Sequence, residues 1–341
     1  MNPRLLPLLA LSTFACTGET NPAEVQVFSA CEGREFTVTE PKEGSPWTPN
    51  AVTLVSEQLA EGVFGVYDSN AATHEPAGLA LATSGGFVIG DDGVLLVETM
   101  INRQLLCQVY ELVRAHTDKP VLYAINTSYH GDHSYGNTFL PESVQVVQHE
   151  RTAAFVATHF ADDVAFMESN FGADQGIDEA ELITPDIEVD DAGWSVDLGG
   201  VTVEAQYRGF AQTDGDLFVA VPEAGVLWAG NPLIAAEPAI PWLLDGHAHD
   251  VSETLAAVQA SLPAGTIVVP GHGRPATPSA FSFSVDYLNT MIAEVQTSVD
   301  AGATLEATQA AVLMEDYQGY ALWDWVHTWV NVPAAHAELS E

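Results

Sequence analysis

Basic side chains are scarce. Nine Lys and Arg stand against 47 Asp and Glu, giving a formal net charge of −38. A surface this acidic repels nucleic acid and anionic lipid, which argues against both as partners. It says little about a substrate, because a pocket can differ from the global field. Solubility is the plain reading of the charge, and salt would weaken the self-repulsion. Cysteine is scarce too: three in 341 residues. None has zinc-knuckle spacing. Cys107 falls in a helical pattern with Leu105, Leu106, Val109 and Val113. There a small buried hydrophobe competes with pairing to Cys31 in an oxidising compartment. Long apolar runs are also lacking, and the densest, Leu5 to Leu11, is too short to span a bilayer.

What is present is a hydrophobic fraction of 47%, enough for a sizeable core. Residues 1–16 read as a targeting segment: Arg4, a leucine-rich run, then Ala15-Cys16. Cys16 is a candidate lipid-anchor site of the bacterial lipoprotein type, and ordinary signal-peptidase cleavage nearby is the alternative. Either route places the mature protein outside the cytoplasm, in the periplasm, on a membrane through Cys16, or secreted. Residues 17–50, rich in Pro, Glu, Gly and Thr, read as a tether, and residues 51–341 as one folded domain.

Within that domain, short apolar runs separated by Gly or Asp-Asp-Gly read as strands and hairpins: 64–67, 79–83, 87–89 and 94–97. A helix is expected over 102–116 and a buried strand over 121–126. The rhythm then repeats, with hairpins over 194–207 and 217–229, a helix over 250–262 and a strand over 266–269. Asp250 and Glu253 are spaced like a capping box for that helix. A long helix closes at Gly302. Two packed sheets with helices on their outer faces satisfy this order.

Polar residues gather where the strands end. His130, Asp132 and His133 lie within four residues of one another just after a buried strand. Imidazole and carboxylate are the donors zinc takes when thiolates are absent, and they suit iron and manganese as well. At later strand ends come Gly209-Phe210-Ala211-Gln212-Thr213-Asp214-Gly215-Asp216, Gly230-Asn231 and Pro270-Gly271-His272-Gly273.

These four segments resemble the motifs of the metallo-β-lactamase-fold superfamily, from about residue 50 to near the C-terminus. The resemblance implies an α/β fold, an αββα sandwich of two mixed sheets flanked by helices. It also implies one or two metal ions, usually zinc, and hydrolysis of thioesters, lactones or β-lactams. Three positions depart from the pattern. Ser128 and Gln212 stand where first-site histidines are expected, and Asn231 where an aspartate usually bridges two metals. Of the first metal site only His130 matches; the second, Asp132, His133 and His272, matches throughout. With Asp132 as the single matched anionic ligand, one Zn2+ is expected rather than two.

The leading expectation is therefore an exported metal-dependent hydrolase of a small carbonyl substrate. Asp132 would hold metal and orient water, and Asn231 or Gln212 would donate to the developing oxyanion. Because Ser, Gln and Asn are all polar, the pocket around them is expected to be wet and accessible. A non-catalytic ligand-binding protein is the alternative, and a redox or sulfur-transfer enzyme on the same scaffold is a third reading. His247 and His249 could chelate, but a helix-capping loop explains them better. Trp242 walls a pocket or packs its loop. Core packing is the expected role of Tyr317, Tyr320, Trp323, Trp325 and Trp329.

Overall fold

The computed structural model describes residues 26–34 and 36–341. The targeting segment and Cys16 lie outside the described residues. Strands β1 (Leu54–Ala60), β2 (Val63–Asp68), β3 (Gly85–Ile89), β4 (Val94–Val97), β5 (Val121–Ile125), β6 (Gln145–His149) and β7 (Ile187–Val189) form one sheet in sequential order. The first four pair antiparallel and the last three continue parallel. The second sheet runs β12 (Ile267–Pro270), β11 (Val226–Gly230), β10 (Leu217–Val221), β9 (Thr202–Tyr207) and β8 (Trp194–Asp197), with only β11 and β12 parallel. Both sheets are mixed, as expected.

The helices are α1 (Ala71–His74), α2 (Arg103–Arg114), α3 (Gly131–Ser134), α4 (Glu150–Phe171), α5 (Ala248–Ser261), α6 (Ala280–Asp300), α7 (Leu305–Ala311) and α8 (Val332–Leu339). A π-helical stretch, Asp324–Asn331, leads into α8. Three apolar layers follow from strand alternation, since neighbouring side chains point to opposite faces. Leu95 and Val97 of β4 pack between the sheets with Val219 and Trp228. Val94 and Leu96 face outward with Leu105, Val109 and Val113 of α2. Outside the second sheet, Phe218 and Val268 pack with Leu255 of α5 and Leu288 of α6. This is the αββα sandwich.

Three local expectations are corrected. Residues 79–83 do not form a strand; only Thr83 bridges, to His272, because this segment is drawn across to the strand ends. Helix α5 begins at Ala248, and no capping box forms: the Ala248 N–H donates to Glu338 of α8, a partner far away in sequence. Residues 26–50 are not a free tether. Phe28 is fully buried and stacks on Tyr110 of α2, and Cys31 is disulfide-bonded to Cys107. Of the two readings of Cys107, pairing is the one realised, and the residue is buried as well.

Candidate metal centre

The site is built at the ends of four strands. β5 delivers the loop that carries Ser128 and His130 and opens α3, with Asp132 and His133 in its single turn. The 209–216 loop enters β10, Asn231 follows β11, and His272 follows β12. A strand is fixed along its length by its ladder, so a residue one step past its end is both rigid and exposed to whatever fills the crevice. The backbones approach closely: a Cβ on Gly271 would lie 2.3 Å from Asn231 Oδ1, so only glycine fits there.

Asp132, His133 and His272 converge, with one ligand atom from each within 4.8 Å of the others. Both imidazole Nε2 atoms face the carboxylate, His133 at 3.6 Å and His272 at 3.7 Å from Asp132 Oδ2. Thr83 donates a hydrogen bond to the same oxygen at 2.5 Å. His272 Nδ1 donates to the Leu81 carbonyl at 2.8 Å, which leaves Nε2 as the atom with a lone pair. His133 Nδ1 lies 3.1 Å from Glu98, although off the line of a good hydrogen bond, and its Nε2 is 3.0 Å from Asn231 Oδ1. Glu98 is buried at φ 66°, a left-handed conformation that costs a side-chain-bearing residue of order 1 kcal/mol. It is held there by the Thr127 hydroxyl at 2.5 Å.

Electrostatics follow the geometry. Burial lowers the His130 and His272 pKa values to about 4, so both are neutral donors at neutral pH. Burial also opposes charge on His133, but Asp132 and Glu98 outweigh it and raise that pKa to about 9. Asp132 is held ionised despite burial, chiefly by the charge on His133 and also by the Thr83 hydroxyl. This donor set suits one divalent cation: one anionic oxygen and two imidazoles, with positions left open.

His130 and Gln212 behave differently. They lie side by side, but His130 Nε2 and both amide atoms of Gln212 are buried without hydrogen-bond partners. His130 is therefore adjacent to the three converging donors and is not one of that set. Asp216 fixes the Gln212 loop by accepting from the Gln212 and Thr213 N–H groups at 2.6 and 2.7 Å. Ser128 is fully buried. The expected wet, open surroundings are not found: all three residues are buried, and only Asn231 lines the adjacent chamber.

That chamber has a volume of about 270 Å³, with His130, Asp132, Asn231 and His272 at one end. Trp47, Phe166, Trp242 and Trp325 wall the rest, so Trp242 is a pocket wall. The expectation of pure core packing for the C-terminal aromatics is corrected in part: Tyr320 and Trp325 line the chamber and Trp329 is exposed. His247 and His249 are surface residues paired with Asp250 and Glu338; His247 precedes α5 without a side-chain cap and His249 lies in its first turn, so neither is a ligand and neither caps the helix. Sequence reading missed Thr83, Glu98 and the Leu81 carbonyl. A carboxylate ending the apolar run 94–97 was a usable signal for Glu98.

The sequence profile of the metallo-beta-lactamase superfamily matches residues 79–272, more than half of the chain. The chain belongs to that superfamily. Among solved structures, the sec-alkylsulfatase Pisa1 from Pseudomonas sp. is similar at 17% identity and a TM-score of 0.66, over 85% of this chain and 50% of that one. The chain thus spans half the length of that sulfatase. A metallo-beta-lactamase from Pontibacter korlensis is similar at 21% identity and a TM-score of 0.51, over 70% of this chain and 99% of that one. At these identities the two likenesses concern the fold; the superfamily's hydrolase-type scaffold is what they share with this chain.

Proposed function

We propose that this protein is an exported, metal-dependent hydrolase of a carbonyl substrate, of the ester, thioester, lactone or β-lactam class, working with a single zinc ion. The observation that carries the reading is the convergence of Asp132, His133 and His272 at the end of a substrate-sized chamber. A divalent ion held there supplies Lewis acidity and an activated water at neutral pH. Asp132 contributes the anionic donor and accepts from Thr83, which fixes its rotamer. In the metal-free protein Asn231 Oδ1 accepts from His133 Nε2–H; with that nitrogen given to a metal the contact would be released, and the Asn231 amide, which lines the chamber, would be free to donate to an oxyanion forming there. Gln212 is buried and does not line the chamber, so it is not a substrate contact. Export is supported by the Cys31–Cys107 disulfide, a bond that persists in oxidising compartments.

The test is hydrolysis of an ester, thioester, lactone and β-lactam panel by zinc-loaded and chelator-treated protein. Zinc-dependent turnover of at least one class is expected, and Asn231→Ala should lower kcat about 100-fold with little change in KM. A folded, zinc-loaded protein that cleaves no member of the panel sinks the hydrolase reading and leaves the non-catalytic binding protein.

A further inference from the structure

The chamber's wall carries information that the metal ligands do not. Its imidazole and carboxylate lining groups, His130, Asp132 and His272, sit at the metal end, and the other polar lining side chains, Asn170, Asn231 and the Tyr320 phenol, are uncharged. Among the described residues, no Lys or Arg lines it. The remaining wall is assembled from distant segments: Trp47 from the disulfide-held N-terminal stretch, Phe166 and Phe171 from α4, and Trp242, Leu322 and Trp325 from the C-terminal half. Trp242 and Trp325 pack edge to face with centroids 5.3 Å apart. Large hydrophobic side chains left exposed are usually scattered singly. Here Leu79, Phe166, Leu244 and Trp325 are all more than a third exposed and all border this one chamber.

We infer that the chamber is the acyl-binding site of the proposed hydrolase and selects a compact, uncharged, apolar group attached to the scissile carbonyl. The inference rests on the hydrolase reading for the word acyl, and on the wall alone for apolar. A carboxylate or sulfate placed against the wall away from the metal end would lose its hydration with no Lys or Arg beside it to compensate. The net charge of −38 adds to the penalty. A volume of about 270 Å³ falls just below the roughly 300–1,000 Å³ of drug-sized ligand pockets, so the occupant is an aryl group or a medium-length alkyl chain. Trp47 and Trp325 are then specificity-determining residues at opposite ends of the sequence.

The experiment uses the zinc-loaded full chain with p-nitrophenyl esters from acetyl to octanoyl, and the adipoyl half-ester as the anionic match to hexanoyl. kcat/KM should rise about three- to fourfold per methylene until the chamber is full. The adipoyl ester should fall about 100-fold below hexanoyl. Trp47→Ala and Trp325→Ala should flatten the slope and move the optimum to longer chains. Separately, calorimetry on zinc-free protein should show binding of hexanamide with negative heat-capacity change, and none of adipic acid monoamide. If esters are cleaved but chain length has no effect, or adipoyl equals hexanoyl, the chamber assignment is overturned while the hydrolase reading stands. If hexanamide binds selectively and no ester is cleaved, the hydrolase reading fails and the apolar site is upheld. Failure of hexanamide to bind wild-type protein at millimolar concentration also overturns the assignment.

Discussion

The imidazole of His272 donates from Nδ1 to the carbonyl of Leu81 at 2.8 Å, and its Nε2 faces Asp132 at 3.7 Å. A backbone carbonyl from a segment with no strand of its own thus sets the tautomer of a proposed metal ligand. The same segment supplies Thr83 to the Asp132 carboxylate. The crossing of residues 79–83 is therefore part of the site, which explains why they leave the sheet.

Metal content follows from that arrangement. The purified protein should hold about one zinc ion per chain, and Asp132→Ala or His272→Ala should each remove most of it. His133, with a pKa near 9, is protonated at neutral pH in the metal-free protein. Zinc uptake should therefore release a proton, and affinity should fall as pH is lowered. Elemental analysis and proton release in two buffers of different ionisation enthalpy read both quantities. Two tightly bound ions in wild-type protein would contradict the reading of Ser128, Gln212 and Asn231.

The disulfide bears on both the proposed export and the chamber. It joins Cys31 to Cys107 across 76 residues and anchors the stretch that carries Trp47. Replacing both cysteines by serine should cost roughly 2–5 kcal/mol of stability, measured by denaturant unfolding. Mature protein from the native host should lack the first 15 or so residues, with Cys16 lipidated or the chain cut nearby. Mass spectrometry that finds soluble cytoplasmic protein beginning at Met1 would contradict export.

Asp163, which is not itself a proposed ligand, gives a second pH signature. Burial raises its pKa to about 6, while it accepts from the Tyr135 hydroxyl at 2.6 Å. A carboxyl whose folded pKa is raised binds its proton more tightly in the native state. Its stabilisation is complete below about pH 4 and is lost as pH rises through about 6. Asp163→Asn, which stays neutral, should gain up to about 3 kcal/mol relative to wild type between pH 4 and 7. Parallel unfolding free energies for the two proteins across that range would refute the shift.

How much was legible in the sequence depended on how local each feature is. His130, Asp132 and His133 are close neighbours after an apolar run, and His272 follows another, so strand and ligand could be read together. Both long-range layers of the sandwich were also readable, because hairpins and helices announce themselves within ten residues. The chamber was not, since Trp47 and Trp325 lie far apart in sequence and meet only through the fold. The missing cap of α5 failed for the same reason: a Glu338 carboxylate replaced the local Asp250–Glu253 pattern. The openness expected around Ser128 and Gln212 assumed that polar residues mean solvent, whereas here they are enclosed.

That enclosure sharpens the last prediction. His130 Nε2 and both amide atoms of Gln212 are buried without partners, so polar valence is unspent at the place where the superfamily resemblance puts a second ion. Ser128→His and Gln212→His would add two imidazoles beside His130, a three-imidazole set of the kind that holds catalytic zinc. Asn231→Asp would supply the negative charge that lets two cations sit close together. The triple variant should raise zinc content from about one toward two per chain. Each single change should do much less, because one added imidazole leaves that position short of ligands. Ser128→His must fit a larger ring into a fully buried position, so a stability cost of about 1–3 kcal/mol is expected, recovered in part when zinc binds. Metal analysis of wild type, singles and triple, with thermal unfolding in and out of zinc, separates these effects. If the triple variant is folded in excess zinc and neither its occupancy nor its melting temperature exceeds the values found without the added ligands, these three residues do not surround a second metal position, and their equivalence to the superfamily's first-site ligands fails.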